Sequence, residues 1–144
     1  MYDVERTTSF LARVPMFRGL KKRQLEKLAK LFVPRDYAAA EAIVTQDKGG
    51  EGFFILVSGR AEAIRERSDG EKVVVNTFGP TDCFGELALL DDGLRTASVV
   101  TTEATHCMVL TRWHFLAALK EDVDAAIVIL QELARRFRRA LDAL

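Results

Sequence analysis

Residues 84–99, FGELALLDDGLRTASV, combine the residue types that suit an anion-binding site. Gly85 has no Cβ, so the backbone can approach a bound group closely, and a short turn that begins there leaves its first amides without internal partners. The amides of Leu87 and Ala88 would point to one place, and Arg95 can bring a forked pair of donors to it. This segment therefore predicts a phosphate site.

Glu86 lies in the same segment with the opposite charge, so its chemistry must differ from that of Arg95. A carboxylate facing phosphate oxygens would repel them, so we expect Glu86 to accept a hydrogen bond from a donor such as a ribose hydroxyl. The alternative is a Glu86–Arg95 ion pair that joins a turn to a strand without any ligand. Burying such a pair merely for stability is costly, so we favour ligand binding.

Other catalytic or metal-binding patterns are weak. The sequence contains no Walker-type loop, no Ser-His-Asp string and no cluster with metal-ligand spacing. Cys83 and Cys107 lie in apolar, strand-like segments, so we expect buried, reduced thiols. His106 and Cys107 are neighbours on a predicted strand, so they point to opposite faces and cannot bind one side of a haem. We predict that the chain is not an enzyme and holds no metal.

The composition is typical of one globular domain with a single sizeable core. Of 144 residues, 49% are hydrophobic, and 21 basic residues balance 21 acidic ones. A balanced chain has no overall field to hold nucleic acid or a membrane surface, so an anion must be bound locally. The sequence shows no signal-peptide pattern and no run near the roughly 18 apolar residues of a membrane span, which predicts a cytoplasmic protein.

The hydrophobic pattern changes from helices to short strands and back to helices. Residues 1–32 contain two segments with helical spacing, and residues 33–110 contain short β-branched segments separated by turn residues, with Asp69-Gly70 as the clearest hairpin signal. Strands this short and this closely spaced predict an antiparallel sandwich or barrel. Residues 87–90 lack β-branched side chains and predict one helical turn within it.

Residues 111–144 predict two further helices, the second of them long and capped by Asp122. Its apolar residues recur at alternating steps of four and three, which is the heptad spacing of a coiled coil. We expect this row to meet the same helix of a second copy in a homodimer; the alternative is packing within the chain. The row consists of Val123, Ile127, Leu130, Ala134, Phe137, Leu141 and Leu144.

Residues 84–99 resemble the phosphate-binding cassette of the cyclic nucleotide-binding domain family, in which FGE-x-A-L is followed by arginine and small residues. The resemblance continues through VPMFRGLKKRQLEKLAKLF, the strand pair FFILVSGRAEAI and the closing helices. It implies a single mainly β domain over residues 1–144. An antiparallel β-roll, a jelly-roll-like barrel over 33–110, would be flanked by N-terminal helices in 1–32 and by helices in 111–144, the last one long.

The resemblance also implies a role for each cassette residue. Glu86 would bind the ribose 2′-hydroxyl, and Arg95 would hold the cyclic phosphate. The amides of Gly85, Leu87 and Ala88 would line the cassette. The ligand would be a cyclic nucleotide, and the protein a sensor or regulatory module rather than an enzyme.

The identity of the base is left open by the residue that follows Arg95. A hydroxyl such as that of Thr96 can contact the guanine amino group in this family, yet members with the same RTAS string can prefer cyclic AMP. We expect cyclic AMP, which is common among such domains, with cyclic GMP as the alternative. A side chain of the last helix often caps the base, and Arg135 is the candidate by position. Family members often have glycine at the places of Asp47 and Thr81, both of which tolerate turns.

Signalling would follow from a population shift. Ligand contacts would draw the cassette inward, Leu89 and Leu90 would repack, and the last helix would change its docking. In bacterial transcription factors of the family this helix leads into a DNA-reading winged helix, for which these 144 residues leave no sequence. We therefore expect no sequence-specific DNA binding by this chain. The chain would be either a free-standing sensor with an unknown effector or part of a longer regulator. The rival interpretation is a ligand-free dimerisation domain with a vestigial pocket.

Overall fold

In a computed structural model that describes residues 3–49, 52–91 and 93–144, the chain forms four α-helices and eight β-strands. The helices are α1 (Val4–Leu11), α2 (Lys22–Ala29), α3 (Arg112–Glu121) and α4 (Val123–Asp142). The strands are β1 (Val33–Tyr37), β2 (Ala42–Val44), β3 (Gly52–Ser58), β4 (Ala61–Glu66), β5 (Lys72–Phe78), β6 (Cys83–Phe84), β7 (Ser98–Thr101) and β8 (Thr105–Thr111). Short 3₁₀ turns span Pro15–Phe17 and Glu86–Leu89.

The strands form two four-stranded antiparallel sheets, ordered β1-β8-β3-β6 and β2-β7-β4-β5. Alternate side chains of both sheets form one buried cluster, because successive residues of a strand point to opposite faces. Its members are Val44, Phe54, Leu56, Ala61, Ala63, Phe78, Val99, Cys107 and Val109. The antiparallel β-roll with flanking helices is therefore confirmed, as is the helical turn near residues 87–90.

By its internal contacts the chain divides into a β-roll unit, Phe32–Arg112, and a helical unit formed by the residues before and after it. In the helical unit, Phe17 lies against Phe115 with ring centroids 5.9 Å apart. Asp122 caps α4 as predicted, accepting from the amide of Ala125 at 3.1 Å. Hydrogen bonds from this amide and from the side chain of Gln24 lower the pKa of Asp122.

Three of the turn positions with a left-handed backbone in the β-roll unit bear on the sequence predictions. Gly70 has φ +87°, and its amide donates to the carbonyl of Arg67 at 2.9 Å, which confirms the predicted hairpin turn between β4 and β5. Asp47 and Thr81 have φ +64° and +74°. These are the two places at which family members often have glycine, and the left-handed backbone gives the physical reason.

The two cysteines differ in their surroundings. Cys107 is buried in the core cluster as expected, and burial raises the pKa of its thiol to about 12. Cys83 is only half-buried, so the expectation of a buried thiol was wrong there: β6 has just two residues and ends beside a cavity. His106 is exposed and forms a hydrogen bond with Asp36, its cross-strand partner on β1.

Candidate functional site

A cavity of about 540 Å³ lies within the β-roll unit, between the cassette and strands of the β2-β7-β4-β5 sheet. All six residues predicted from the cassette line it, although they come from two stretches of chain separated by a loop. They are Gly85, Glu86, Leu87, Ala88, Arg95 and Thr96. The fold therefore brings the candidate binding groups to one place.

Gly85 precedes the 3₁₀ turn that follows β6 and caps its first end. Its φ of +91° is one that residues with a Cβ rarely adopt. The amide of Ala88 donates to the carbonyl of Gly85 at 3.0 Å, so the expectation that it has no partner within the turn was wrong. The i→i+3 bond of a 3₁₀ turn closes one residue earlier than an α-helical bond. The amides of Glu86 and Leu87 precede this first bond, and Leu89 at the end of the turn is fully buried.

Arg95 is fixed through both its backbone and its side chain. Its amide donates to the carbonyl of Lys48 at 2.9 Å, and its carbonyl accepts from the amide of Asp47 at 2.8 Å. Its Nη2 donates to the carbonyl of Gly52 at 2.8 Å. Within the described residues its Nε is buried without a hydrogen-bond partner, and burial lowers the pKa of the guanidinium. The side chain thus bonds to a backbone carbonyl rather than to Glu86, which disfavours the ion-pair alternative.

Glu86 contributes a second charge to the cavity wall. Burial, together with the negative charges of Glu86 and Asp82, raises the pKa of the neighbouring Cys83 thiol to about 11. This thiol is therefore protonated at neutral pH and is a poor nucleophile. Glu86 itself offers carboxylate oxygens, which accept hydrogen bonds from hydroxyl groups.

The wall opposite the cassette is mostly apolar and was not predicted. Val44, Ala63 and Val99 line it from β2, β4 and β7, and Asn76 and Phe78 line it from β5. The spacing of Asn76 and Phe78 by two residues could have indicated a shared face, since strand side chains alternate. Nothing in the sequence showed that this face meets the cassette.

The geometry agrees with the result of comparison with known proteins. The family model described as "Cyclic nucleotide-binding domain" matches residues 34–122, which include all of the β-roll strands except the first residue of β1. The chain belongs to this family. It is a cyclic nucleotide-binding regulatory domain, because its relatives are regulators of this kind.

Two bacterial relatives of this domain match most of the chain. The "CRP-like cAMP-activated global transcriptional regulator" of Mycobacterium tuberculosis (strain CDC 1551 / Oshkosh) is 29% identical over 129 residues, covering 90% of this chain and 58% of the relative. The "Cyclic AMP receptor protein" of Thermus thermophilus is 32% identical over 126 residues, covering 88% and 58%. The domain thus spans 58% of the length of either relative.

The solved structures agree with the fold of the domain. The crystal structure of the N-terminal domain of a transcriptional regulator from Streptomyces coelicolor A3(2) has a TM-score of 0.83 and 25% identity. The match covers 94% of this chain and 96% of that one. The similarity therefore includes the flanking helices as well as the β-roll.

Features outside the cassette give less support for ligand contacts. Arg135 belongs to the helical unit, where it is exposed on α4 and donates to the buried carboxylate of Glu132 at 3.2 Å. Its role as a base cap stays a prediction. Among the described residues, no three His, Cys, Asp or Glu side chains are grouped to hold a metal ion. Nor is any helix in that part of the chain long and apolar enough to cross a membrane.

Proposed function

We propose that this domain is a cytoplasmic sensor that binds cyclic AMP through the cassette and reports its occupancy through α4. The observation that carries the proposal is the guanidinium of Arg95, which is fixed, desolvated and left with a buried donor beside the cavity. Desolvating a cation without an ionic partner costs free energy, and a bound anion repays that cost. Cyclic phosphate carries one negative charge with two exocyclic oxygens, which suits the forked donors of arginine.

The other cassette groups complete a nucleotide site in the same proposal. The amide of Leu87 lies in the first turn of the 3₁₀ segment, before its first internal hydrogen bond, and it can donate to the phosphate oxygens. The carboxylate of Glu86 accepts from the ribose 2′-hydroxyl, which keeps it away from the phosphate charge. The apolar wall accommodates the base. Cyclic AMP is preferred over cyclic GMP because the two bacterial relatives carry cyclic AMP in their names.

Signal transfer starts from the cassette in this proposal. Leu89 is the last residue of the turn and is fully buried, so a shift of the turn forces neighbouring side chains to repack. Ligand binding then favours one arrangement of the cassette over another, and α4 follows this population shift. The effector that receives the signal is an unidentified protein or a further segment of a longer regulator.

The function is tested by titrating the wild type and Glu86→Gln with cyclic AMP and 2′-deoxy-cyclic AMP in a calorimeter. We expect the wild type to bind cyclic AMP and to lose about tenfold in affinity for the 2′-deoxy ligand, the size of one hydrogen bond to a charged group. Glu86→Gln keeps an acceptor but loses the charge, so its preference for cyclic AMP over the 2′-deoxy ligand should be smaller than that of the wild type. Absence of heat with cyclic AMP and cyclic GMP would favour the vestigial-pocket interpretation.

We also propose that α4 joins two copies of the chain. The predicted row is exposed in the described chain, with 64% exposure at Leu130 and 65% at Phe137, which is contrary to the alternative of internal packing. Exposed large apolar residues repeated along 20 residues of helix favour a coiled-coil partner. In the proposed dimer, the residues of each copy that contact the other copy are Ile127, Leu130, Ala134, Phe137 and Leu141.

Phe137→Glu should convert the dimer to monomers, since two buried carboxylates would face each other across the seam. Sedimentation velocity measures the change. Gln131→Glu is the matched control, because it places the same charge on an exposed α4 residue outside the row. An unchanged mass for Phe137→Glu, or a monomeric wild type, contradicts the dimer.

A further inference from the structure

Asn76 is a polar residue that lines the cavity wall. It takes no part in the proposed phosphate and ribose contacts. It lies on β5 opposite Ala63 and two residues before Phe78, and all three line the cavity. Since residues two apart on a strand share a face, Asn76 projects with Phe78 toward the space across from the cassette. The phosphate and sugar contacts are already supplied by Arg95 and Glu86, so the group that meets Asn76 is the base.

The amide of Asn76 has a defined orientation. The side chain of Asn76 is exposed to the cavity opening, and its Oδ1 accepts from the backbone amide of Thr77 at 2.8 Å, which favours the orientation with the oxygen on that side. A carbonyl oxygen has a second lone pair, and the Nδ2 group carries two donor hydrogens. Asn76 therefore presents a donor and an acceptor side by side.

This pattern matches one purine better than the other. Adenine carries its N6 donor beside the N7 acceptor, and asparagine is complementary to that pair. Guanine carries two acceptors, O6 and N7, so the amide oxygen would oppose O6. We infer that Asn76 recognises the base edge and makes the domain select adenine over guanine, an inference that rests on the proposed cyclic nucleotide binding.

The apolar side chains and the hydroxyl group of the cavity wall do not supply this discrimination. Val44, Ala63 and Val99 are apolar and contact either base equally well. The hydroxyl of Thr96 rotates and can act as donor or acceptor, so it accepts both bases. An amide held by a backbone hydrogen bond has no such freedom.

The test compares cyclic AMP, cyclic GMP and 7-deaza-cyclic AMP on the wild type, Asn76→Ala and Asn76→Asp, by calorimetry on the full chain. The wild type should bind cyclic AMP at least about tenfold more tightly than cyclic GMP, and 7-deaza-cyclic AMP about tenfold more weakly than cyclic AMP. Asn76→Ala should lose most of both differences. Asn76→Asp keeps the shape but lacks the donor, so it should not distinguish 7-deaza-cyclic AMP from cyclic AMP.

Thr77→Ala is the matched control, because Thr77 is the next residue of β5 and its change keeps the backbone amide that holds Asn76. It should leave the ratio of the two affinities unchanged. Thermal denaturation without ligand checks that each variant is folded. Suppose that the wild type binds cyclic AMP, and that Asn76→Ala lowers the affinities for cyclic AMP and cyclic GMP by the same factor or changes neither affinity. The inference is then overturned while the proposed function stands. If the wild type binds neither nucleotide, both are overturned.

Discussion

Arg95→Ala should weaken cyclic AMP binding at least about thirtyfold, since removing one partner of a desolvated, charge-assisted contact costs roughly 2–5 kcal/mol. Three backbone partners already hold Arg95 in place: Lys48, Asp47 and Gly52. Little ordering entropy is therefore spent when the phosphate arrives, and the truncation loses nearly the full contact. Calorimetric titration measures the loss directly.

Thr96→Ala and Arg95→Lys are the controls for this prediction. The neutral hydroxyl of Thr96 is worth about 0.5–1.5 kcal/mol if it contacts the ligand, so its removal should cost tenfold or less. Arg95→Lys keeps the charge but lacks the fork and should fall between the two. Equal losses for Arg95→Ala and Thr96→Ala would contradict the assignment of the phosphate to Arg95.

The stability of the ligand-free protein should not fall with the affinity when Arg95 is replaced by alanine. Because the Nε of Arg95 is buried without a described partner, Arg95→Ala removes a desolvated cation from the unliganded state. The free energy of unfolding of the Arg95→Ala variant without ligand should therefore not fall below that of the wild type. The stabilisation that cyclic AMP gives the wild type should be absent in this variant. Such a division between affinity and stability is the signature of a binding residue rather than of a structural one.

The cassette was predictable because its chemistry is local in the sequence. Gly85, Glu86 and Arg95 lie within one short segment, so their residue types and spacing can be read together. The β-roll was predictable for a similar reason, since β-branched segments alternate with turn residues. At Asp47 and Thr81 the sequence indicated only turn-tolerant residues, and it did not predict their left-handed backbone.

The remainder of the site depends on contacts between distant parts of the chain. Gly52 lies 43 residues before Arg95 and supports it through a carbonyl group, which every residue possesses and no sequence pattern marks. Asn76 and Phe78 share a face of β5, but strand alternation does not say which face meets the cassette. The bond from Ala88 to Gly85 depends on whether the turn closes as 3₁₀ or α, a choice of one residue that propensities do not resolve.

Gly85→Ala should both destabilise the domain and weaken cyclic AMP binding. A Cβ at Gly85 would require alanine at φ +91°, would clash with the carbonyl oxygen of Gly52, and would lie 2.8 Å from Nη1 of Arg95. The strained backbone alone costs about 1–2 kcal/mol, and the close contacts must move the carbonyl that holds Arg95. We expect a loss of at least about 2 kcal/mol in the free energy of unfolding, or roughly 4–8 °C in melting temperature. Cyclic AMP affinity should fall about tenfold, as for one lost hydrogen bond to a charged group.

Two other glycines separate the causes of this loss. Gly70 has φ +87° with no atom within 4 Å of its Cβ position, so Gly70→Ala measures the strained backbone alone. Gly79 has no such φ and its nearest neighbour is 3.9 Å away, so Gly79→Ala should be nearly neutral. Thermal denaturation and titration of the three variants should rank Gly85→Ala as the most harmful to both stability and affinity. Gly85→Ala and Gly70→Ala introduce a similar backbone strain, but only Gly85→Ala adds close contacts with Gly52 and Arg95. If Gly85→Ala loses no more stability than Gly70→Ala, these close contacts do not constrain the site.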